Sequence, residues 1–242
     1  MAHMFSRLRG KVRSLGWRDS LLFTIDFVLR RVSLGSAKLI KYYFVAQPVA
    51  AHPTSTPRLS GSTRMYLTMT RDAIICQAPR PPQTLQSRFE QRARCVVAER
   101  AGELAGFIWL CPDCFHEDEV RCVYSWAPGP AAVWDFDVFI APPFRMSRVF
   151  ARLWNHAHDL LAKEHVRWTL SRIDAFNAGS LAAHRRLGAR VVARGWFLVV
   201  GNMQITFSSV SPHWHVSMSD ADAPSLCFDL SKIPDESLTA HP

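Results

Sequence analysis

The sequence predicts an α/β domain carrying a basic N-terminal extension, on three observations. From about residue 65 onward, strand-like alternation and helix-like periodicity interleave, the pattern of a layered α/β structure. Ahead of that body, residues 48–64 (PVAAHPTSTPRLSGSTR) are rich in Pro, Ser and Thr without apolar periodicity and read as a linker. Positive charge is concentrated before the linker: residues 1–45 hold nine Lys and Arg against Asp19 and Asp26, a net +7 of the chain's formal +9. The expected organisation is a basic amphipathic helical extension at 1–47, the linker at 48–64, the body at 65–216 and an irregular acidic tail at 217–242.

The extension contains SLLFTIDFVLRRV, residues 20–32, whose Leu21, Leu22, Ile25, Val28, Leu29 and Val32 recur at helical spacing behind Ser20, a suitable N-cap. With flanking arginines and the cluster Tyr42, Tyr43 and Phe44, it could lie on an anionic membrane surface or dock on the body. In the body, MYLTMT reads as a strand and residues 82–93 as a helix opened by Pro82. CVVAER and LAGFIWLC then form a hairpin across a tight Ala101-Gly102-Glu103 turn. A strand or pair follows at 119–126, and VWDFDVFI (133–140) is the plainest strand. Over 145–163, Val149, Phe150, Leu153, Trp154, Ala157, Leu160 and Leu161 take one helical face, and Arg145, Arg148, Arg152 and Lys163 the other. A strand at 166–174, a helix within NAGSLAAHRRLGA (177–189) and strands at 190–200 and 203–209 complete the body.

At 242 residues, 48% apolar and 20% charged, the chain can bury a full core and does not read as disordered or as a membrane-spanning bundle. Six cysteines are too few for a disulfide scaffold, and no signal-peptide pattern opens the sequence, so a cytoplasmic location is expected, peripheral at the inner membrane through the basic segment. The opening MAHM reads as a cloning remnant before Met4. Cys111, Cys114, His116 and Cys122 fall within twelve residues but lack a second ligand pair of fixed spacing, so no metal is expected. No phosphate-loop lysine, dinucleotide glycine fingerprint or nucleophile elbow is present, which removes kinase, dehydrogenase and hydrolase readings. Nucleic acid is not an expected partner, because no reading helix or aromatic platform accompanies the charge.

Two local signatures resemble the GNAT superfamily of N-acyltransferases: VWDFDVFIAPPFRMSRVFARLW, a strand, proline turn and Arg-led helix, and Asn177, Ser180, His184 and Gly188 at the family's Asn, small residue, Tyr, Gly spacing. The resemblance covers roughly residues 65–210 and implies a mixed, mostly antiparallel central sheet flanked by helices. It further implies an acyl thioester donor slotted between two splayed strands, with its pyrophosphate on the main-chain amides of the next helix start. Acetyl-CoA, another acyl-CoA or an acyl carrier protein would fill that role, and an amine would be the acceptor. The donor-binding residues so implied are Phe139, Ile140, Arg145, Met146, Ser147, Arg148, Val149, Phe150, Asn177 and Ser180. Where the family has small residues in the pyrophosphate motif, this chain has Arg148 and Phe150. His184 takes the place of the Tyr that protonates the departing thiolate, and neighbouring Arg185 and Arg186 would lower its pKa. Asp135 and Asp137, on one face of their strand by alternation, are the candidate proton acceptors; either could equally be an exposed strand residue or a substrate contact. The alternative function is a non-catalytic module of the same fold, held at a membrane as a binding or accessory protein.

Overall fold

A computed structural model describes residues 17–49, 63–128 and 131–233. In chain order the elements are α1 (Trp17–Val32), β1 (Ala37–Pro48), β2 (Thr63–Thr68), α2 (Pro82–Glu90), β3 (Arg94–Arg100), β4 (Glu103–Cys111), β5 (Phe115–His116), β6 (Val123–Ala127), β7 (Ala132–Ile140), α3 (Val149–Lys163), β8 (Trp168–Asp174), α4 (Ala178–Arg186), β9 (Arg190–Val200), β10 (Met203–Ser208), β11 (Trp214–Ser217) and β12 (Ser225–Asp229). The fold is mixed α/β, with mostly antiparallel strands and flanking helices. Most of the linker, 50–62, lies outside the described residues. Among the described residues, no helix is long and apolar enough to cross a membrane.

The chain forms two compact units, one of Met1–Gln47, His116–Ala127 and Arg172–Pro242, the other of Pro48–Phe115 and Pro128–Ser171. In the second unit, β2, β3, β4 and β7 follow one another antiparallel, and β7 pairs parallel with the start of β8. The β3–β4 turn is two residues long, with Ala101 and Gly102 both at positive φ (53° and 81°), the conformation whose twist matches a hairpin. Apolar side chains on both faces of β3 and β4 are buried, and α3 packs on these strands through Val149, Leu153, Trp154, Ala157 and Leu161. α2 opens with Pro82 inside its first turn, where a missing N–H costs no hydrogen bond.

In the first unit, β1, β9, β10 and β11 form an antiparallel run, and β6 pairs parallel with β12. Two expectations are corrected here. The 1–47 segment is not a purely helical extension: Ala37–Pro48 is a strand, with Tyr42, Phe44 and Val45 fully buried, so its aromatics serve a core. Phe44 stacks edge-on against Tyr124 and lies 4.9 Å from the Phe228 ring. The tail is not irregular throughout, because β12 buries Leu226 and Phe228, and Leu230 and Ile233 follow them inward.

Candidate active site

The ladder between β7 and β8 comprises three pairs, Ala132↔Trp168 to Trp134↔Leu170, and ends there. β7 continues to Ile140, held on its other edge by β4 as far as Gly106↔Ile140. That edge is tight: a Cβ on Gly106 would stand 2.7 Å from the Phe139 carbonyl oxygen and 2.8 Å from Ile140 Cδ1, so only glycine fits. Phe139 stacks on Phe107 at 5.3 Å between centroids.

Beyond Ile140 the chain winds through a 3-10 turn at Pro142–Phe144, and α3 begins at Val149 rather than at Arg145. Two consecutive prolines favour the tight turn over a regular helix start. Inside it Phe144, Arg145 and Ser147 donate their N–H groups to carbonyls three residues back, and Ser147 Oγ accepts from Val149 N (3.2 Å). The main-chain N–H groups of Met146, Arg148 and Phe150 donate to no group of the chain among the described residues. Arg145, Met146, Ser147 and Arg148 are exposed, Val149 is buried and Phe150 half-buried. Open donors at a positive helix end are a ready anion seat.

Asp135 and Asp137 do not share surroundings, because the alternation of β7 breaks between them. Two residues of β7 lie opposite one of β4 between the pairs Trp109↔Phe136 and Phe107↔Phe139, and Asp137 sits in this bulge at φ 45°. Its carboxylate is held by Arg80, through Nε (2.9 Å) and Nη2, and by Arg88 Nη1. Both guanidinium groups lie over aromatic rings, Arg88 over Trp109 and Phe136, Arg80 over Phe107 and Phe139. Asp135 is fully buried, and burial pushes its pKa up to about 7. The Thr169 and Ser171 hydroxyls pull it the other way but fall short of full hydrogen-bond geometry, so Asp135 Oδ2, Thr169 Oγ1 and Ser171 Oγ are buried without a hydrogen-bond partner among the described residues. This cluster stands beside the last β7–β8 pair, where the ladder ends.

The other predicted residues belong to the first unit. Asn177 caps α4, its Oδ1 accepting from Ser180 N (3.1 Å), and Gly188 at φ 85° follows the helix end. His184 is buried, with Nδ1 3.2 Å from Gln47 Oε1, and its pKa falls to about 4. Burial is the cause; Arg185 and Arg186, expected to drive the shift, play no part. Arg80, Arg88, Thr169, Ser171 and Gln47 were invisible to sequence reading, for each lies near its carboxylate or imidazole only across intervening strands or helices and sits in no motif. The cysteines are all free thiols, and no group of three or more His, Cys, Asp or Glu among the described residues is placed to hold a metal.

The β7–β8 ladder thus ends after three pairs, and β7 runs on to main-chain amides at a helix start, a type of arrangement that suits anions. The chain belongs to the GNAT acetyltransferase family, whose model matches residues 64–189, about half its length. No curated protein sequence matches it. Among solved structures it is similar to a functionally unknown conserved protein from Staphylococcus epidermidis ATCC 12228 (7% identity over 73% of this chain and 67% of that one, TM-score 0.47). It is also similar to a tandem GNAT protein from the clavulanic acid biosynthesis pathway (14%, 66% and 52%, TM-score 0.46), of which it spans about half. A GNAT-family protein from Novosphingobium aromaticivorans DSM 12444 is 13% identical over 66% of this chain and 65% of its own, with a TM-score of 0.42.

Proposed function

We propose that the protein is an N-acyltransferase that moves an acyl group from acyl-CoA, or from an acyl carrier protein, to an amine by direct attack. The observation that carries this reading is the end of the β7–β8 ladder at Trp134↔Leu170, which leaves residues 135–140 of β7 with an edge for a thioester arm. Its anionic part would rest on the amides of Met146, Arg148 and Phe150, with the Arg145 and Arg148 side chains adding charge-assisted contacts. The amine nitrogen attacks the thioester carbonyl, a C–N bond forms, the C–S bond breaks, and one ammonium proton must be removed. Asp135 is the acceptor we assign, because a carboxyl titrating near neutrality is suited to taking a proton at pH 7. Asp137 is the weaker choice, with two guanidinium groups already on its oxygens. For the departing thiolate the candidate remains His184, whose neutral imidazole would act through water. Positioning supplies much of the rate. The place of work is an anionic membrane surface, by virtue of the basic N-terminal charge.

One feature favours the non-catalytic alternative: Arg148 and Phe150 stand where the family resemblance implies small residues. Calorimetric titration with acetyl-CoA, longer acyl-CoAs and acyl carrier protein decides between them. Binding and turnover that rises with an apparent pKa near 7, lost with a drop of about 10²–10⁴-fold in Asp135→Asn, supports the enzyme. No thioester binding by any donor overturns it, and undiminished turnover in His184→Ala removes that residue from the mechanism.

A further inference from the structure

α1 is turned inside out. Its inward face carries Asp26, whose carboxylate accepts from Leu39 N (2.8 Å) and from Arg30 Nε (2.8 and 2.9 Å), while Leu22 and Phe23 pack against Ala175 and Phe176. The apolar stripe points the other way: Trp17, Leu21, Val28 and Val32 are 74%, 55%, 51% and 80% exposed, and Ile25 is exposed with them. At about 100° per residue these five side chains fall within an arc of about 80°. A contiguous apolar stripe left in water marks an interaction surface.

A second, independent feature lies at the foot of the same helix. A recess of about 740 Å³ is walled by Trp17, Tyr43 and Trp196 and carries Lys41, Arg194 and Asp19. Lys41 Nζ donates to Asp19 Oδ1 (2.5 Å) and stands 4.8 Å from the Tyr43 ring centroid, and Tyr43 Oη donates to Asp19 Oδ2 (2.6 Å). Arg194 lies 5.9 Å from the same ring, so the recess has two cations to one carboxylate between aromatic walls. Such a site suits a phosphate ester: guanidinium donates to its oxygens, and Trp and Tyr rings are at home at headgroup depth. Trp17 belongs to both stripe and recess, which makes them one continuous surface.

We propose that this surface seats α1 on an anionic phospholipid bilayer, the stripe lying at the acyl boundary and the recess taking a phosphate headgroup. Charge complementarity selects this occupant, since Arg31 is exposed on the same helix beside the stripe and residues 1–45 carry a net +7. A sixteen-residue helix of about 24 Å with two aspartates on its inner side lies on such a surface and does not cross it. The inference rests on the membrane location proposed above and not on acyl chemistry.

The test is cosedimentation of the full chain with vesicles of phosphatidylcholine alone and of equimolar phosphatidylcholine and phosphatidylglycerol. Binding about tenfold or more tighter to the anionic vesicles is expected. Leu21→Glu with Val28→Glu, both at exposed positions, should lose about tenfold or more with an unchanged melting temperature, and Arg194→Ala about fivefold. Equal vesicle binding by the double variant overturns the proposal. So does its conversion of a dimer of the free chain to monomer, which would make the stripe a self-association face. Saturable quenching of Trp fluorescence by glycerol 3-phosphate without vesicle binding overturns it in favour of a soluble phosphate ester. Acyl transfer to a soluble amine without vesicles should be unaffected in the double variant, so the membrane and enzyme readings fail separately.

Discussion

α1 and α3 are sixteen and fifteen residues long, and each carries a single apolar stripe, yet they use it in opposite senses. α3 buries Val149, Leu153, Trp154, Ala157 and Leu161 and leaves Asp159 and Lys163 exposed and Arg152 half-buried. α1 buries Asp26 and exposes Trp17, Leu21, Val28 and Val32. The difference lies in what the opposite face can satisfy. Asp26 finds a strand N–H and an arginine one turn away, and Asp19 finds Lys41 and Tyr43, so the polar face of α1 docks with its hydrogen bonds made. Periodicity shows that a stripe exists; the partners of the residues between decide which way it turns.

The contrast can be broken by substitution. Trp154→Ala, at a fully buried position on α3, should cost about 3–5 kcal/mol and lower the urea midpoint clearly. If it does not, α3 is not anchored by its stripe. Next in size, Asp26→Ala should cost about 1–3 kcal/mol in the same measurement, because the Leu39 N–H loses its acceptor and Arg30 its ion pair. A cost near zero would mean α1 is not held by its polar face. A smaller effect is expected from acid. His158, buried on the inner face of α3, has its pKa held below the ordinary 6.5 by burial, so folding disfavours its cation. Its contribution is complete above about pH 6.5 and lost as pH falls below, and His158→Gln should flatten that limb of a stability profile. Least of all, Leu21→Ala and Val28→Ala should each change stability by within about 0.5 kcal/mol, since neither side chain is withdrawn from water. A large loss at either would show that the stripe packs after all.

Much of the second unit was legible because its elements obey one period each. The Ala101-Gly102 hairpin, the strand β7 and the stripe of α3 are local properties, and the structure has them where the residues indicate. β1 was not legible: LIKYYFVAQ is buried on both faces, so it shows no alternation, and it read as part of the basic helical extension. β12 was hidden in a tail whose acidic residues outweigh four buried apolar ones. At the candidate site, the strand, the turn and the Asn177 cap could be read, whereas the bulge at Asp137 could not, because an extra residue in a ladder is defined by the partner strand. The partner of the buried His184, Gln47, is likewise far off in sequence.

The pairing of β1 with β9, Ala37 against Val200, sets a timetable for biosynthesis. β1, the first strand among the described residues, waits for roughly 140 further residues before its antiparallel neighbour exists, and during that interval Tyr42, Phe44 and Val45 have no permanent cover. A nascent chain with such a debt of long-range closure folds late and invites chaperone capture early.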